Sequence, residues 1–273
     1  NNVNGIKLVD FQNVTFNGVI STNEGGLSVD ATQIMLEAGG DILIENTDGG
    51  EITLLGNITT SDASTGLEIH TNNGDIKLGS IKNFETLSLR KDLADEGDTE
   101  LNGEISVANT ISFEDMGDIK VNNDISMSAS NMITLSNSKL LGSNNDTHRD
   151  ISLTSDKIDI DEITGKNIDI NTTNLVLSNN ITATDKLSFL SSNPTDIINI
   201  TLNDDITLTG YVDFLSTSDS KVNFKRADEA TPTENKSLSI ISRNDIINLH
   251  TFDNDSQLSS LSVAVILFDN TRL

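Results

Sequence analysis

The chain has 273 residues, 35% of them hydrophobic and 22% charged, and its 17 Lys and Arg against 42 Asp and Glu leave a formal net charge of −25. Phosphate recognition needs clustered cations, and an anionic bilayer repels such a chain, so neither a nucleic-acid partner nor membrane insertion is expected. There is no Cys, which removes disulfide, zinc-thiolate and thiol-nucleophile chemistry. The longest apolar run, residues 263–268, is far short of a membrane span.

Strand signals follow one another almost from end to end. Ile42/Ile44, Ile52/Leu54, Leu67/Ile69, Ile76/Leu78 and Leu87/Leu89 open the series, and Ile111/Phe113, Ile119/Val121, Ile133/Leu135, Ile151/Leu153, Ile158/Ile160 and Ile168/Ile170 continue it. A period of two places each pair on one face of a strand. Ser, Thr, Asn, Asp and Gly, all turn formers, fill the gaps. Only residues 90–96 are compatible with a helix, which Gly97 would end.

A corner unit also recurs, in which a short strand, one or two polar residues and an isoleucine follow in order. It ends at Ile20, Ile58, Ile81, Ile105, Ile125, Ile163, Ile181 and Ile206. Most steps between these residues lie near 20, and the two long ones are near twice that. An all-strand chain with such a period predicts a coil stacked on itself, an all-β parallel β-helix. Residues 1–273 then form one solenoid of roughly thirteen turns at about 20 residues per turn, a rod of about 60 Å. Ile44, Leu54, Ile69, Leu78, Ile119, Leu153 and Leu208 are expected to point inward. Breaks in the rhythm at 90–99, 143–149 and 226–236 predict loop excursions. Tandem β-sandwiches are the competing fold, but the chain has no Trp, one Tyr and two Pro.

Gly40-Asp41-Ile42-Leu43-Ile44, Ile52-Thr53-Leu54-Leu55-Gly56-Asn57-Ile58, Gly66-Leu67-Glu68-Ile69-His70-Thr71 and Gly74-Asp75-Ile76-Lys77-Leu78-Gly79-Ser80-Ile81 share one cadence. It resembles the passenger region of filamentous-haemagglutinin-like bacterial exoproteins, which are secreted by two-partner systems. The likeness is one of repeat style and runs from about residue 39 to 215. It implies a fibrous, extracellular, right-handed β-helix without catalysis, acting in adhesion, biofilm cohesion or contact-dependent inhibition. The only Asn-Pro is Asn193-Pro194, deep in the chain, so the resemblance covers shaft repeats and not a secretion domain. The start at Asn1-Asn2-Val3 reads as a processed product or an excised piece.

Asp directly precedes an inward Ile at Asp41, Asp75, Asp118, Asp124, Asp150, Asp205 and Asp245. Such a carboxylate is expected to accept a backbone N–H two residues on and close its own turn. The functional alternative is a ladder of calcium ligands. The candidates are Asp253 with Asp255, Asp204 with Asp205, and Asp159 with Asp161, although the Gly-Gly-x-Gly-x-Asp calcium repeat is absent. Asp159/Asp161 is also the best carboxylate pair for a polysaccharide-active enzyme. His70, His148 and His250 are too far apart in sequence for a shared ligand set and read as polar strand positions. No cofactor other than calcium is expected. The expected partners are glycans or proteins of a host or neighbouring cell surface. Uncapped ends further predict end-to-end self-association or continuation in a longer parent chain.

Overall fold

A computed structural model describes residues 5–22, 25–92, 97–144 and 147–190, with side chains except at 143–147 and 190. Beyond residue 190 it describes the backbone of the strands Ile198–Leu202, Ile206–Leu215, Val222–Arg226, Ser237–Ser242 and Ser260–Val265. The fold is a parallel β-solenoid.

Each turn carries three strand segments, and each segment pairs in parallel with its equivalent one turn away. On the first face Ile6, Leu27, Ile52, Ile76, Thr99, Ile119, Leu140, Ile163 and Ile181 stack in register. The second face stacks Val14, Ile34, Ile58, Ile81, Ile105, Met127, Leu153, Ile170 and Phe189. The third stacks Ile20, Ile44, Ile69, Leu89, Phe113, Leu135, Ile160 and Leu177. Apart from Ile6, every one of these residues is 8% exposed or less. Burying one such aliphatic side chain contributes about 1.5–3 kcal/mol. No turn gains this without the neighbour that covers it, so the stack is the unit of stability.

Ile44, Leu54, Ile69, Leu78, Ile119 and Leu153 are all fully buried, as alternation predicts. The side chain of Leu208 lies outside the described residues, but its backbone continues the column of Ile181.

The turn count is lower than expected. Matched residues of the first face are 21, 25, 24, 23, 20, 21, 23 and 18 positions apart, which makes eight turns from Ile6 to Ile181. At ~4.8 Å per step these eight turns rise roughly 38 Å. Three further steps carry the column through Leu208 and Ile240 to Val263. A count of thirteen assumes about 20 residues per turn throughout, whereas the steps beyond Ile181 are 27, 32 and 23. The corner unit does not mark a single face. Ile58, Ile81 and Ile105 stand on the second face, Ile163 and Ile181 on the first, and Ile20 on the third.

Near two of the expected excursions the described residues are these. Arg90 and Lys91 end the strand Ile76–Lys91, and Thr99 opens the next. No helix stands at 90–92, and 93–96 lie outside the described residues. Between Leu141 and Ile151, at the corner joining the first and second faces, Ser143–Asn144 pairs antiparallel with Thr147–His148. This hairpin is the only antiparallel pairing among the described residues. Residues 227–236 lie outside them. Among the described residues no helix is long and apolar enough to cross a membrane.

Candidate functional site

The residues that could carry function stand at the corners, above all where the third face passes into the first. Corner backbone needs partners for N–H and C=O groups that no longer point along the ladder. The aspartates meet this need across turns. Asp41 Oδ1 accepts the Gly66 N–H at 2.8 Å, Asp75 Oδ1 the Asp98 N–H at 2.7 Å, and Asp124 Oδ1 the Asp150 N–H at 2.9 Å. Asp150 Oδ1 in turn accepts from the Asn167 N–H at 3.3 Å and Asn167 Nδ2 at 2.9 Å. The expected bond two residues on is thus replaced by one to the equivalent position of the next turn. Stacking places that N–H directly over the carboxylate.

Inside the same corner runs a polar column, Thr22, Asn46, Thr71 and Lys91. Asn46 Nδ2 donates to Thr22 Oγ1 at 3.0 Å, while its Oδ1 accepts the N–H of Asp48 at 3.2 Å and of Gly50 at 2.6 Å. Thr71 Oγ1 accepts the Gly74 N–H at 3.0 Å. Lys91 is 1% exposed, and its Nζ donates to the Gly97 carbonyl at 2.8 Å. Burial pushes the Lys91 pKa below its ordinary value, and the charges of Asp75 and Asp98 work against that shift.

Outside the corner the charges form a zipper. Glu51, Asp75, Asp98 and Asp118 precede successive first-face strands, and Lys139 and Glu162 follow above Asp118. Two residues along each strand, Lys77, Glu100 and Lys120 make a second column. Lys77 Nζ lies 3.2 Å from Glu51 and 3.9 Å from Asp75, Lys120 Nζ 2.8 Å from Asp98, and Lys139 Nζ 3.4 Å from Glu162. A hydrogen bond from Thr53 holds the Glu51 pKa down against its partial burial, with help from Lys77. The hydrogen bond from Lys120 holds that of Asp98 down. The same pairings raise the pKa values of Lys77, Lys120 and Lys139. Each exposed pair is worth only about 0.2–1 kcal/mol, so their collective effect is to neutralise a column that would otherwise repel itself.

Beside the zipper, Gly97, Asp98, Gly117, Asp118, Asn137, Lys139 and Asp161 line an open cleft of about 440 Å³. Its walls turn sharply, with Gly97 (φ 72°), Gly117 (φ 61°) and Asn137 (φ 47°) in the left-handed region, as is the neighbouring Asp115 (φ 55°). Asn137 Nδ2 donates to Asp115 Oδ1 at 2.8 Å, tying two turns together. Cleft chemistry is limited to carboxylate, amide and one ammonium group, which suits hydrogen bonding to a polar surface.

Asp159 and Asp161 share the strand Lys157–Gly165, but their surroundings differ. Asp159 stands outward on the third face between Thr134 and Val176, and burial raises its pKa against the charge of Lys157. Asp161 lines the cleft and accepts from Asn179 Nδ2 at 3.4 Å. Among the described residues no three or more His, Asp and Glu form a group able to hold a metal ion. Asp204, Asp205, Asp253 and Asp255 lie outside the described residues. In the described carboxylate column the counter-ions are Lys77, Lys120 and Lys139. That role was visible in Asp75-Ile76-Lys77 and Asp118-Ile119-Lys120, where a period of two puts acid and base on one outer face. His70 Nε2 meets Asp92 Oδ1 at 2.9 Å, an inter-turn contact on the third face, and His148 is exposed on the hairpin.

No protein-family model, curated protein or solved structure matches the chain.

Proposed function

We propose that this chain is the shaft of a secreted, non-catalytic bacterial fibre. It stands at the cell surface or in the extracellular matrix and makes adhesive contacts with glycans or proteins of other surfaces. The finer reading is a filamentous-haemagglutinin-like exoprotein. One observation carries it: three inward columns run without interruption, while the polar residues of the inner corner are occupied in closing turns. A coil built this way sets reach by repeat number and leaves its outer surface free to vary. Adhesion needs reach and surface, and does not need a preorganised group of reactive side chains.

The test couples purified chain to beads and measures retention on epithelial cells, bacterial cells and a glycan array against beads bearing an unrelated β-solenoid. Retention above that control is expected, and retention equal to it removes the adhesive reading. The runner-up is a polysaccharide-active enzyme, favoured only by the cleft, where Asp98, Asp118 and Asp161 stand near Lys139. Cleavage of a polysaccharide that is abolished by Asp118→Asn would replace the shaft reading.

A further inference from the structure

We propose that Asn102-Gly103 is a self-modifying site, where the Asn102 amide is lost through a cyclic imide and replaced by a carboxylate, assisted by Asn122 and Asn123 of the next turn. The inference goes beyond the shaft reading and does not depend on adhesion.

Asn-Gly occurs at Asn4, Asn17, Asn73 and Asn102, and Asn4 lies outside the described residues. Glycine has no Cβ, so its backbone nitrogen can approach the preceding side chain where a larger residue would hinder it. The state of that nitrogen separates the three described sites. The Gly18 N–H donates to the Glu37 carbonyl at 2.7 Å, and the Gly74 N–H donates to Thr71 Oγ1 at 3.0 Å. A nitrogen held in this way must break its bond before it can attack. Gly103 lies between the strands Thr99–Leu101 and Ile105–Val121, at the corner joining the first and second faces. Its N–H meets no acceptor among the described residues.

The next turn supplies two donors. Asn122 Nδ2 donates to Asn102 Oδ1 at 3.0 Å, and Asn123 Nδ2 donates to the Asn102 main-chain carbonyl at 3.0 Å. These are the two carbonyls that the imide ring would contain. The first donor stands where negative charge develops when the side-chain carbon is attacked, and the second where water adds afterwards. The Asn122 N–H, bound to the Leu101 carbonyl at 3.1 Å, fixes this corner over the one below before any reaction begins.

The steps balance with water alone. Hydroxide takes the Gly103 N–H proton, and the nitrogen bonds to Asn102 Cγ. The Cγ–Nδ2 bond breaks as Nδ2 takes a proton from water and leaves as ammonia. Water then opens the ring. Addition at Cγ breaks the new N–Cγ bond and leaves an aspartyl residue in the ordinary chain. Addition at the main-chain carbonyl carbon breaks the original peptide bond, and the chain runs on through Cγ as an isoaspartyl link. Either product puts a carboxylate beside Asn122, whose Nδ2 also donates to Glu100 Oε2 at 2.9 Å. The isoaspartyl link also lengthens the main chain by one carbon, at a corner where a Cβ on Gly103 would lie 2.8 Å from the Ser80 nitrogen. Modification therefore adds charge and loosens one corner of the coil.

The test ages the purified full chain at mildly alkaline pH, digests it, and reads amide-to-acid conversion by mass spectrometry, with the two linkages separated by chromatography. In the folded chain Asn102 should convert at least about tenfold faster than Asn17 and Asn73, and in denaturing urea the three should agree within about threefold. Asn122→Ala should slow conversion of folded Asn102 by about threefold or more, with an unchanged strand spectrum and no effect in urea. Asn123→Ala should lower the isoaspartyl share of the product. Equal rates at the three sites in the folded chain would overturn the proposal. So would an Asn102 that converts more slowly folded than in urea, because the fold would then protect it. An Asn122→Ala rate equal to that of the parent would overturn it as well.

Discussion

The Asp75 carboxylate accepts the Asp98 N–H at 2.7 Å across one full turn of the coil. The bond staples two corners that the strand ladders leave unpaired, and Asp41 does the same for Gly66 at another corner. Hydrogen bonds to a charged group contribute about 1.5–3 kcal/mol when buried, and less at a partly exposed corner. Asp41→Ala should therefore cost about 1 kcal/mol in urea unfolding, and Asp41→Asn about half of that, because an amide oxygen still accepts. Asp75→Ala should cost more than Asp41→Ala, since Asp75 also lies near the ammonium groups of Lys77 and Lys91. Equal losses at the two positions would show that this charge adds nothing.

Glycine at the third-to-first corner is a matter of space. A Cβ on Gly74 would lie 2.2 Å from the Gly50 carbonyl oxygen and 2.9 Å from that of Gly49. Both obstacles are backbone of the turn below and cannot swing aside. Gly74→Ala should cost about 2–4 kcal/mol, measured as the shift of the urea midpoint. Gly40, where an added Cβ meets nothing within 4 Å, supplies the control, and Gly40→Ala should stay within about 0.5 kcal/mol of the parent.

The inward face of each strand was legible because alternation leaves no freedom. A one-residue slip would move Ile52 and Leu54 together into water. Which of the three faces a strand belongs to was not legible. Asp41-Ile42, Asp75-Ile76 and Asp124-Ile125 open three different faces with the same staple, so identical local chemistry hides position around the coil. Lys91 shows a different failure. Period two carries Leu87 and Leu89 on to Lys91 as an inward residue, but lysine is almost never buried unpaired. Residues 90–96 therefore read as helix-compatible. The carbonyl of Gly97 is the partner that sequence spacing does not reveal.

Lys91 also sets a pH dependence with a definite sign. Burial lowers its folded pKa below the ordinary 10.5, so between the two values the unfolded chain holds more protons than the folded one. Its contribution to stability therefore rises with pH in the window just under 10.5. Lys77, Lys120 and Lys139 act oppositely: their raised pKa values keep stabilisation in place below 10.5 and lose it as pH climbs through them. The stability difference between the parent and Lys91→Met isolates the buried group. It should shift in favour of the parent from pH 8 to pH 10 at fixed salt, and a flat difference would show the buried charge to be fully compensated. At pH 7 Lys91→Met should fall within about 1 kcal/mol of the parent, because Met keeps the stem and removes a desolvated charge. Lys91→Ala should lose about 2–3 kcal/mol with the methylene groups it deletes.

Asp159 makes the opposite case among the carboxylates. It sits half-buried on the outer third face, in the column between Thr134 and Val176, where burial raises its pKa and only the charge of Lys157 opposes the shift. The folded pKa lies above the ordinary 3.8, so the ionised carboxylate is a cost at neutral pH. Protonation relieves this cost as pH falls through the raised value toward 3.8. Asp159→Thr places the residue of the turn below at this position, and Thr favours strands. It should raise stability by about 0.5–1 kcal/mol at pH 7, and the gain should vanish below about pH 3.5. Calcium discriminates the remaining reading of the Asp159/Asp161 pair. With no group of three ligands gathered there, millimolar calcium should shift the urea midpoints of parent and variant equally. A calcium increment that magnesium does not match, present in the parent and lost in Asp159→Thr, would assign a cation to this pair and reverse the sign of the substitution in calcium-containing buffer.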